Sequence, residues 1–385
     1  MDGAAGRLAG VRLLFVVNVD WFFISHRLPL LRAARSEGAE VAVATADTGR
    51  LHEIEAEGVT VYPLRMSRAG RSPVEQARSV LEIARAIRGF RPDVVHNVTI
   101  KPVLIGTLVT RLLRRRTRII NAISGFGFVM EGGAGGAARR VVRLCYRLLF
   151  RSARVTVVVQ NDDARRLLVE ERIARHDRIE LIEGSGVDCD EFAPVDGDDR
   201  SDTPVTITMA GRILRDKGVV EYCEAVARLA DGRVEAVLAG SLDPEGNPTA
   251  LRRDELDALC ERTGVRYLGD VDDMPSLLGS SDVFVLPSHH EGLPKVLIEA
   301  AASGLPLVAT DIAGCRPVVH PDVNGELVPV RDVESLAAAI ERLAGDPQRR
   351  RRYGVASRRL ALERFSVSGV VERFVELYAG SRGVA

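Results

Sequence analysis

This chain of 385 residues lacks net charge, paired cysteines, long apolar runs and the usual nucleotide-hydrolysis loops, and each absence removes a class of function. Lysine and arginine total 53, as do aspartate and glutamate, so the chain as a whole carries no cationic signature of nucleic-acid binding. The five cysteines (Cys145, Cys189, Cys223, Cys260 and Cys315) are scattered and odd in number, with no C-x-x-C. That usage excludes a disulfide framework or zinc site and suits a reducing cytosol. No uncharged stretch reaches the length of a membrane span. The opening MDGAAGRLAGVRLLFVVN lacks the apolar core of a signal peptide, and Val11 to Val17 reads better as a first strand. After that strand, where a dinucleotide enzyme carries G-x-G-x-x-G, the chain reads Asn18-Val19-Asp20-Trp21-Phe22-Phe23. No G-x4-G-K-[ST] is present either. Both absences count against hydride transfer and nucleotide hydrolysis.

What the chain does have is alternation. Strands read near 11–17, 40–45, 59–63, 93–96, 117–121, 155–159 and 178–182, with helices near 25–36, 73–89, 101–113, 137–151 and 161–171 between them. That is a doubly wound α/β domain. Residues 193–204 (APVDGDDRSDTP) are polar, acidic and rich in turn formers, and form the clearest linker. A second alternating unit has strands near 205–209, 234–239, 265–268, 282–287 and 306–310, then helices near 333–344, 347–363 and 367–379. Length alone fits two domains. The expectation is a Rossmann-like domain over 1–192, a second over 205–365, and a last segment, 366–385, packing back on the first. Two such domains facing each other make a cleft for ligands.

Two motifs in the second half carry chemistry. Glu291 and Glu299 stand eight apart in SHHEGLPKVLIEAAASG, between the strand DVFVLP and a helix over Pro294 to Ser303. The start of that helix offers free N–H groups and a partial positive charge, which suit a phosphate or sugar oxygen. Two carboxylates so placed can accept hydrogen bonds from separate sets of hydroxyls, such as the sugar and the ribose of a nucleotide sugar. Two acids at this spacing are, taken alone, an ordinary solvated face. The second motif is Gly211-Arg212-Ile213-Leu214-Arg215-Asp216-Lys217-Gly218, between the strand Val205 to Met209 and an amphipathic helix. Arg212 and Lys217 thus leave a strand's C-terminal end, where open α/β sheets bind ligands, and suit a diphosphate.

These stretches resemble the retaining nucleotide-sugar glycosyltransferases of family four, with the GT-B fold of two Rossmann-like domains facing a cleft. The resemblance spans nearly the whole chain and is carried by MAGRILRDKG, YLGDVDDMPSLLGSSDVFVLPS, HHEGLPKVLIEAAASGLPLVATDIAGC and VNGELVPVRD. In the first half FFISHRLPL, HNVTIKP, ISGFGFVM, VVVQNDD and IEGSGVD look like a subgroup of bacterial surface-glycan assembly. That subgroup is similar to enzymes adding N-acetylgalactosamine to a diphospho-undecaprenol-linked sugar. The resemblance implies an N-terminal acceptor domain and a C-terminal donor domain. Arg212 and Lys217 would hold the donor diphosphate, and Glu291 would contact the sugar hydroxyls. Gly292, Leu293, Pro294, Lys295 and Val296 would line sugar and phosphates, and Glu299 would bind the ribose. Gly211 and Val271, the latter in the Gly269–Met274 stretch near the base, complete the donor set. Many members of the wider family carry a histidine after the fifth strand. Here that loop reads Asn121-Ala122-Ile123-Ser124-Gly125-Phe126-Gly127, so no such histidine transfers.

The implied reaction is glycosyl transfer with retention, by front-face attack, without cofactor or metal. Arg212 and Lys217 would do the work of a divalent ion. Asp270-Val271-Asp272 has a metal-pair spacing but reads as an ordinary loop. On the acceptor side the candidates are His26 and Arg27 after the first strand, His96 and Lys101 flanking the fourth, and Ser124 and Gly125 in the loop above. The two histidines have plain structural alternatives: a helix-capping surface residue for His26, a satisfied polar residue at a strand end for His96. From Arg111 to Arg154 there are eleven arginines and one acid, Glu131. Within Arg139 to Arg154, Arg143, Arg147 and Arg151 lie four apart, with apolar residues on another side. That pattern fits either an interfacial helix on anionic lipid or a packed helix with a solvated basic face. The protein is accordingly expected in the cytoplasm, or peripheral on the inner face of the plasma membrane. Transfer to a soluble natural product, a sugar-nucleotide epimerase and a non-catalytic sensor are the rival readings.

Overall fold

The computed structural model describes residues 6–66, 73–123, 136–195, 204–229, 232–242 and 247–380. The chain divides into two compact units, Met1–Gly186 with Ser368–Ala385, and Val187–Val367.

The first unit runs β1 (Arg12–Val16), α1 (Asp20–Ser36), β2 (Glu40–Ala46), α2 (Leu51–Ala56), β3 (Thr60–Leu64), α3 (Pro73–Phe90), β4 (Val94–Val98), α4 (Ile100–Leu113), β5 (Arg118–Ile123), α5 (Gly136–Phe150), β6 (Val155–Val159), α6 (Asp162–Glu170) and β7 (Ile179–Leu181). Its seven strands are all parallel, in the order β3-β2-β1-β4-β5-β6-β7. Strands such as Leu13–Val16 and Val94–Val98 are buried along their whole length. Helices on both faces demand this, and it explains why these strands read as continuous apolar runs. The order reverses between β1 and β4, so the unit's switch point lies at their C-terminal ends. Asp20 starts α1 earlier than the apolar pattern indicates. Its carboxylate accepts the N–H of Trp21 at 2.7 Å, Thr48 at 2.8 Å and Arg50 at 3.0 Å, anchoring the first turn to the loop after β2.

The second unit runs β8 (Val205–Ala210), α7 (Val219–Ala227), β9 (Val234–Ala239), α8 (Arg253–Thr263), β10 (Arg266–Tyr267), α9 (Met274–Gly279), β11 (Val283–Leu286), α10 (Lys295–Ala302), β12 (Leu307–Thr310), β13 (Gly325–Val328), α11 (Val333–Ala344) and α12 (Pro347–Arg364). Six parallel strands take the order β10-β9-β8-β11-β12-β13. Strand β13 is absent from the pattern reading. It is a short edge strand whose half-exposed Glu326 interrupts the apolar run. The switch point here falls between β8 and β11, which pair through Val283 with Ile207 and Phe284 with Thr208.

The last helix, α13 (Val367–Ala379), belongs to the first unit. It buries Val370, Phe374, Val375 and Tyr378 in one apolar cluster with Leu13, Phe15, Phe23 and Leu30. Arg118 of β5 ties its end down by donating to the carbonyl oxygens of Leu377, at 2.9 Å, and Tyr378.

Candidate active site

The two motifs of the second unit meet because the strands that precede them are neighbours. Leaving β8, the chain forms a short 3-10 turn over Arg215–Lys217 and enters α7 through Gly218. Gly218 has φ 76°, and a Cβ there would sit on the Pro287 carbonyl oxygen. Only glycine therefore lets this turn close on the end of β11. The backbone N–H of His289 donates to the Asp216 oxygen at 2.8 Å and clamps the two loops together. Gly240, with φ 139°, lets the ends of β8 and β9 approach, since a Cβ there would strike the Gly211 carbonyl.

Within this clamp the Lys217 ammonium forms an ion pair with Oε1 of Glu291, both groups largely shielded from water. The Ser288 hydroxyl donates to the same oxygen at 2.9 Å, and Thr310 Oγ1 donates to the Ser288 carbonyl at 2.5 Å. Lysine and glutamate are thus held at one point with opposite charges aimed at each other. An anion can bind the ammonium, and hydroxyls can bind the carboxylate. Arg212 lies half-buried on the same turn. Nearby, Cys315 is fully buried, and burial together with the Glu291 charge pushes its thiol up well above the ordinary range. It is therefore an inert packing group.

Helix α10 starts at Lys295 with Pro294 as its N-cap residue, so Pro294 stands just outside the first turn. Leu297 N–H reaches back to the Pro294 oxygen at 3.2 Å. The amides of Lys295 and Val296 head the helix, as an anion site requires. Glu299, buried one turn in, has Lys295 Nζ at 2.5 Å from Oε1. The Lys295 side chain is therefore committed to Glu299, in addition to the backbone role expected of it. Gly292 is half-buried and Leu293 and Pro294 are buried, while Val271 and Val296 pack at the margin of the apolar cluster around Leu297 and Leu286. Asp270 and Asp272 are exposed, and the neighbouring Asp273 caps α9 through Ser276 N–H at 3.0 Å. Among the described residues no group of three or more His, Cys, Asp or Glu gathers as a metal cage. Ser288, Thr310 and Glu221, whose Oε1 lies 2.8 Å from His289 Nε2, are site-supporting residues that the sequence reading missed. Single hydroxyls at strand ends carry no spacing signal.

The acceptor-side candidates fare differently. Because α1 begins at Asp20, Ser25 to Arg27 lie in its second turn rather than at the strand's mouth. The His26 ring stacks on Phe22 at 4.1 Å. Arg27 is buried, donates to the His26 carbonyl at 3.0 Å and lies over the Phe374 ring at 5.7 Å. His96 is also buried, with Nδ1 2.7 Å from the Tyr378 hydroxyl and its ring stacked on Phe374 at 5.1 Å. Both are corrected from acceptor contacts to core groups under α13. The cause is that β4 runs on to Val98, which puts His96 inside the strand, and that the returning helix packs Phe374 against both residues. Lys101 stays half-buried on the first turn of α4, its pKa lowered by burial. Ser124 and Gly125 lie outside the described residues.

Burial, and next the Arg27 charge, hold the His96 imidazole neutral well below the usual histidine range. The unfolded chain protonates this histidine below about pH 6.5, whereas the folded state does not. The unfolded state then binds more protons, so stability is lost as pH falls below about 6.5, by about 1.4 kcal/mol per pH unit. Denaturation midpoints measured between neutral and mildly acid pH should fall more steeply in the wild type than in His96→Gln. Parallel curves would mean that His96 takes up a proton within the fold.

Comparison with known proteins places these features. A family model described as "Glycosyl transferases group 1" matches residues 204–346, and one described as "Glycosyl transferase 4-like" matches residues 12–161. The chain is 24% identical over 380 residues to the N,N'-diacetylbacillosaminyl-diphospho-undecaprenol alpha-1,3-N-acetylgalactosaminyltransferase of Campylobacter jejuni, covering 96% of this chain and 98% of that protein. It is 26% identical to the UDP-Gal:alpha-D-GlcNAc-diphosphoundecaprenol alpha-1,3-galactosyltransferase of Escherichia coli, covering 71% of this chain and 72% of that one. Among solved structures, Anabaena HepE in complex with UDP-glucose superimposes with a TM-score of 0.77 at 19% identity, over 96% of this chain and 99% of that one. The fold is shared at that level of identity.

Proposed function

We propose a function for a chain that belongs to the family-four retaining glycosyltransferases of the GT-B fold, a metal-independent class: it moves an N-acetylhexosamine from a UDP-linked donor to a lipid-diphosphate-linked or polysaccharide acceptor. The observation that carries the reading is the Lys217–Glu291 pair at the switch point, with Glu299 behind it on α10. In this reading Lys217 and Arg212, with the leading amides of α10, hold the donor diphosphate. Glu291 takes hydroxyls of the sugar and Glu299 those of the ribose. As the bond from the sugar's anomeric carbon to the diphosphate breaks, the acceptor oxygen bonds to that carbon from the same face. The acceptor's proton passes to the departing phosphate oxygen. The cations stabilise the charge that grows on the diphosphate, a contribution made chiefly in the transition state. Two relatives whose names specify transfer onto diphospho-undecaprenol-linked sugars support the lipid-linked acceptor. A neighbour solved with UDP-glucose supports UDP.

The test is a thermal shift across UDP, GDP and their sugar conjugates, with Glu299→Ala as control. UDP and one UDP-N-acetylhexosamine should raise the melting temperature of the wild type. Loss of hydrogen bonds to a charged group should weaken UDP about ten- to a hundredfold in Glu299→Ala. Preference for GDP would keep the enzyme class and discard the UDP donor. No response to any nucleotide would overturn the donor site.

A further inference from the structure

We propose that the outer faces of α4 and α5 together form a docking surface for an anionic lipid bilayer. This surface is independent of the donor-site reading and lies wholly in the first unit.

Leu108 and Leu112 of α4, one turn apart, are 45% and 73% exposed, and Leu144 and Leu148 of α5 are 55% and 52% exposed. Isolated exposed leucines are ordinary, but pairs one turn apart on two neighbouring helices make an apolar face. The two helices are tied together at their C-terminal ends. Arg111 Nη1 donates to the carbonyl oxygens of Leu148 at 2.7 Å and Leu149 at 3.0 Å, and Arg154 donates to the Arg114 oxygen at 3.0 Å. Leu112, next to Arg111, and Leu148, whose carbonyl accepts from it, therefore stand near each other at those ends.

The charge on the two helices has one sign. Neither helix contains an acidic residue, and Arg115, Arg116, Arg140 and Arg151 are exposed at their ends. The structure also refines which arginines count. Arg143 and Arg147 bind Glu171, the first as an ion pair and the second by two hydrogen bonds to its carbonyl oxygen at 2.9 and 2.7 Å. They brace α5 against the end of α6 and do not belong to the lipid face. Leucines flanked by arginines match a bilayer interface: the leucines enter the acyl boundary while the guanidiniums reach up to lipid phosphates. A second copy of the chain on a two-fold axis would set these arginines against themselves. Nucleic acid would leave the leucines uncovered. Among the described residues no helix is long and apolar enough to cross a membrane, so the contact is peripheral.

The experiment is vesicle co-sedimentation of the full chain, read in parallel by an environment-sensitive fluorophore on the exposed Cys145, with Cys260 replaced by serine. Wild type should bind equimolar phosphatidylglycerol–phosphatidylcholine vesicles, with a blue shift of the label, and should not bind pure phosphatidylcholine. Arg115→Glu/Arg116→Glu and Leu112→Ser/Leu148→Ser should each lower binding about tenfold or more. The same reversal on α12, Arg351→Glu/Arg352→Glu, should leave binding unchanged. Failure of the wild type to bind, or equal loss in the α12 control, would overturn the surface. So would a dimer, seen by analytical ultracentrifugation without lipid, that Leu112→Ser/Leu148→Ser dissociates. Because the UDP thermal shift is read separately, loss of the donor site and loss of the lipid surface are distinguishable.

Discussion

Lys217→Ala should lower kcat about a hundred- to a thousandfold, the scale on which removing one preorganised charge-stabilising donor acts. The ammonium is fixed before the donor arrives: Glu291 holds it from one side and the Gly218 turn sets its origin. A preorganised charge needs little rearrangement as the diphosphate departs, which is why its removal should fall mainly on kcat. The substitution also strips Glu291 of its ionic partner and leaves it the Ser288 hydroxyl. Lys217→Met/Glu291→Gln, made singly and together, separates that effect, since two members of one network are expected to couple strongly. Lys217→Arg keeps the charge but replaces a compact ammonium with a planar fork and should restore only part of the rate. Near-normal turnover in Lys217→Ala, with an unchanged melting temperature, would remove Lys217 from the site.

Phe374→Ala should be the most damaging of the simple core truncations in α13, costing about 3–5 kcal/mol. Phe374 is fully enclosed, stacks on His96 and lies beneath the Arg27 guanidinium. Desolvation lowers Arg27 to about 10, so it still carries its charge at neutral pH in an apolar setting. Among the described residues its Nε has no hydrogen-bond partner. Opening a cavity beside a buried cation admits water and loosens the seat of α13. Melting of the first unit should drop by roughly 10 °C, with new proteolytic cleavage near residue 367, followed by calorimetry and limited digestion. An unchanged melting temperature would show that α13 contributes little to the core of this unit.

Much of this protein was legible in its residues. Parallel strands buried on both faces leave apolar runs, and helices with one solvated face leave a 3.6-residue period, so most elements appear in the pattern within a residue or two. The GRILRDKG and HHEGLPKVLIE stretches also disclosed their chemistry, because a cation-bearing turn after one strand and a carboxylate-bearing corner after another are local features. Short edge pieces such as β13 were lost because four residues, only two of them partly exposed, carry no period. Strand order is not local. That β8 and β11 are neighbours, and that Lys217 therefore reaches Glu291 across 74 positions, follows from the pairing of Val283 with Ile207. Likewise, nothing local marks His96 and Arg27 as core groups rather than polar groups near strand ends. Only the return of α13 across 282 positions to place Tyr378 on His96 made them core. Arg143 and Arg147 looked like members of one basic stripe until Glu171 claimed them. The sequence by itself determined most of the elements and the chemical character of each turn, because these depend on neighbours along the chain. The tertiary structure alone decided which charges pair, which polar groups are dry and which leucines stay wet, because burial and pairing are set by elements that are distant in sequence.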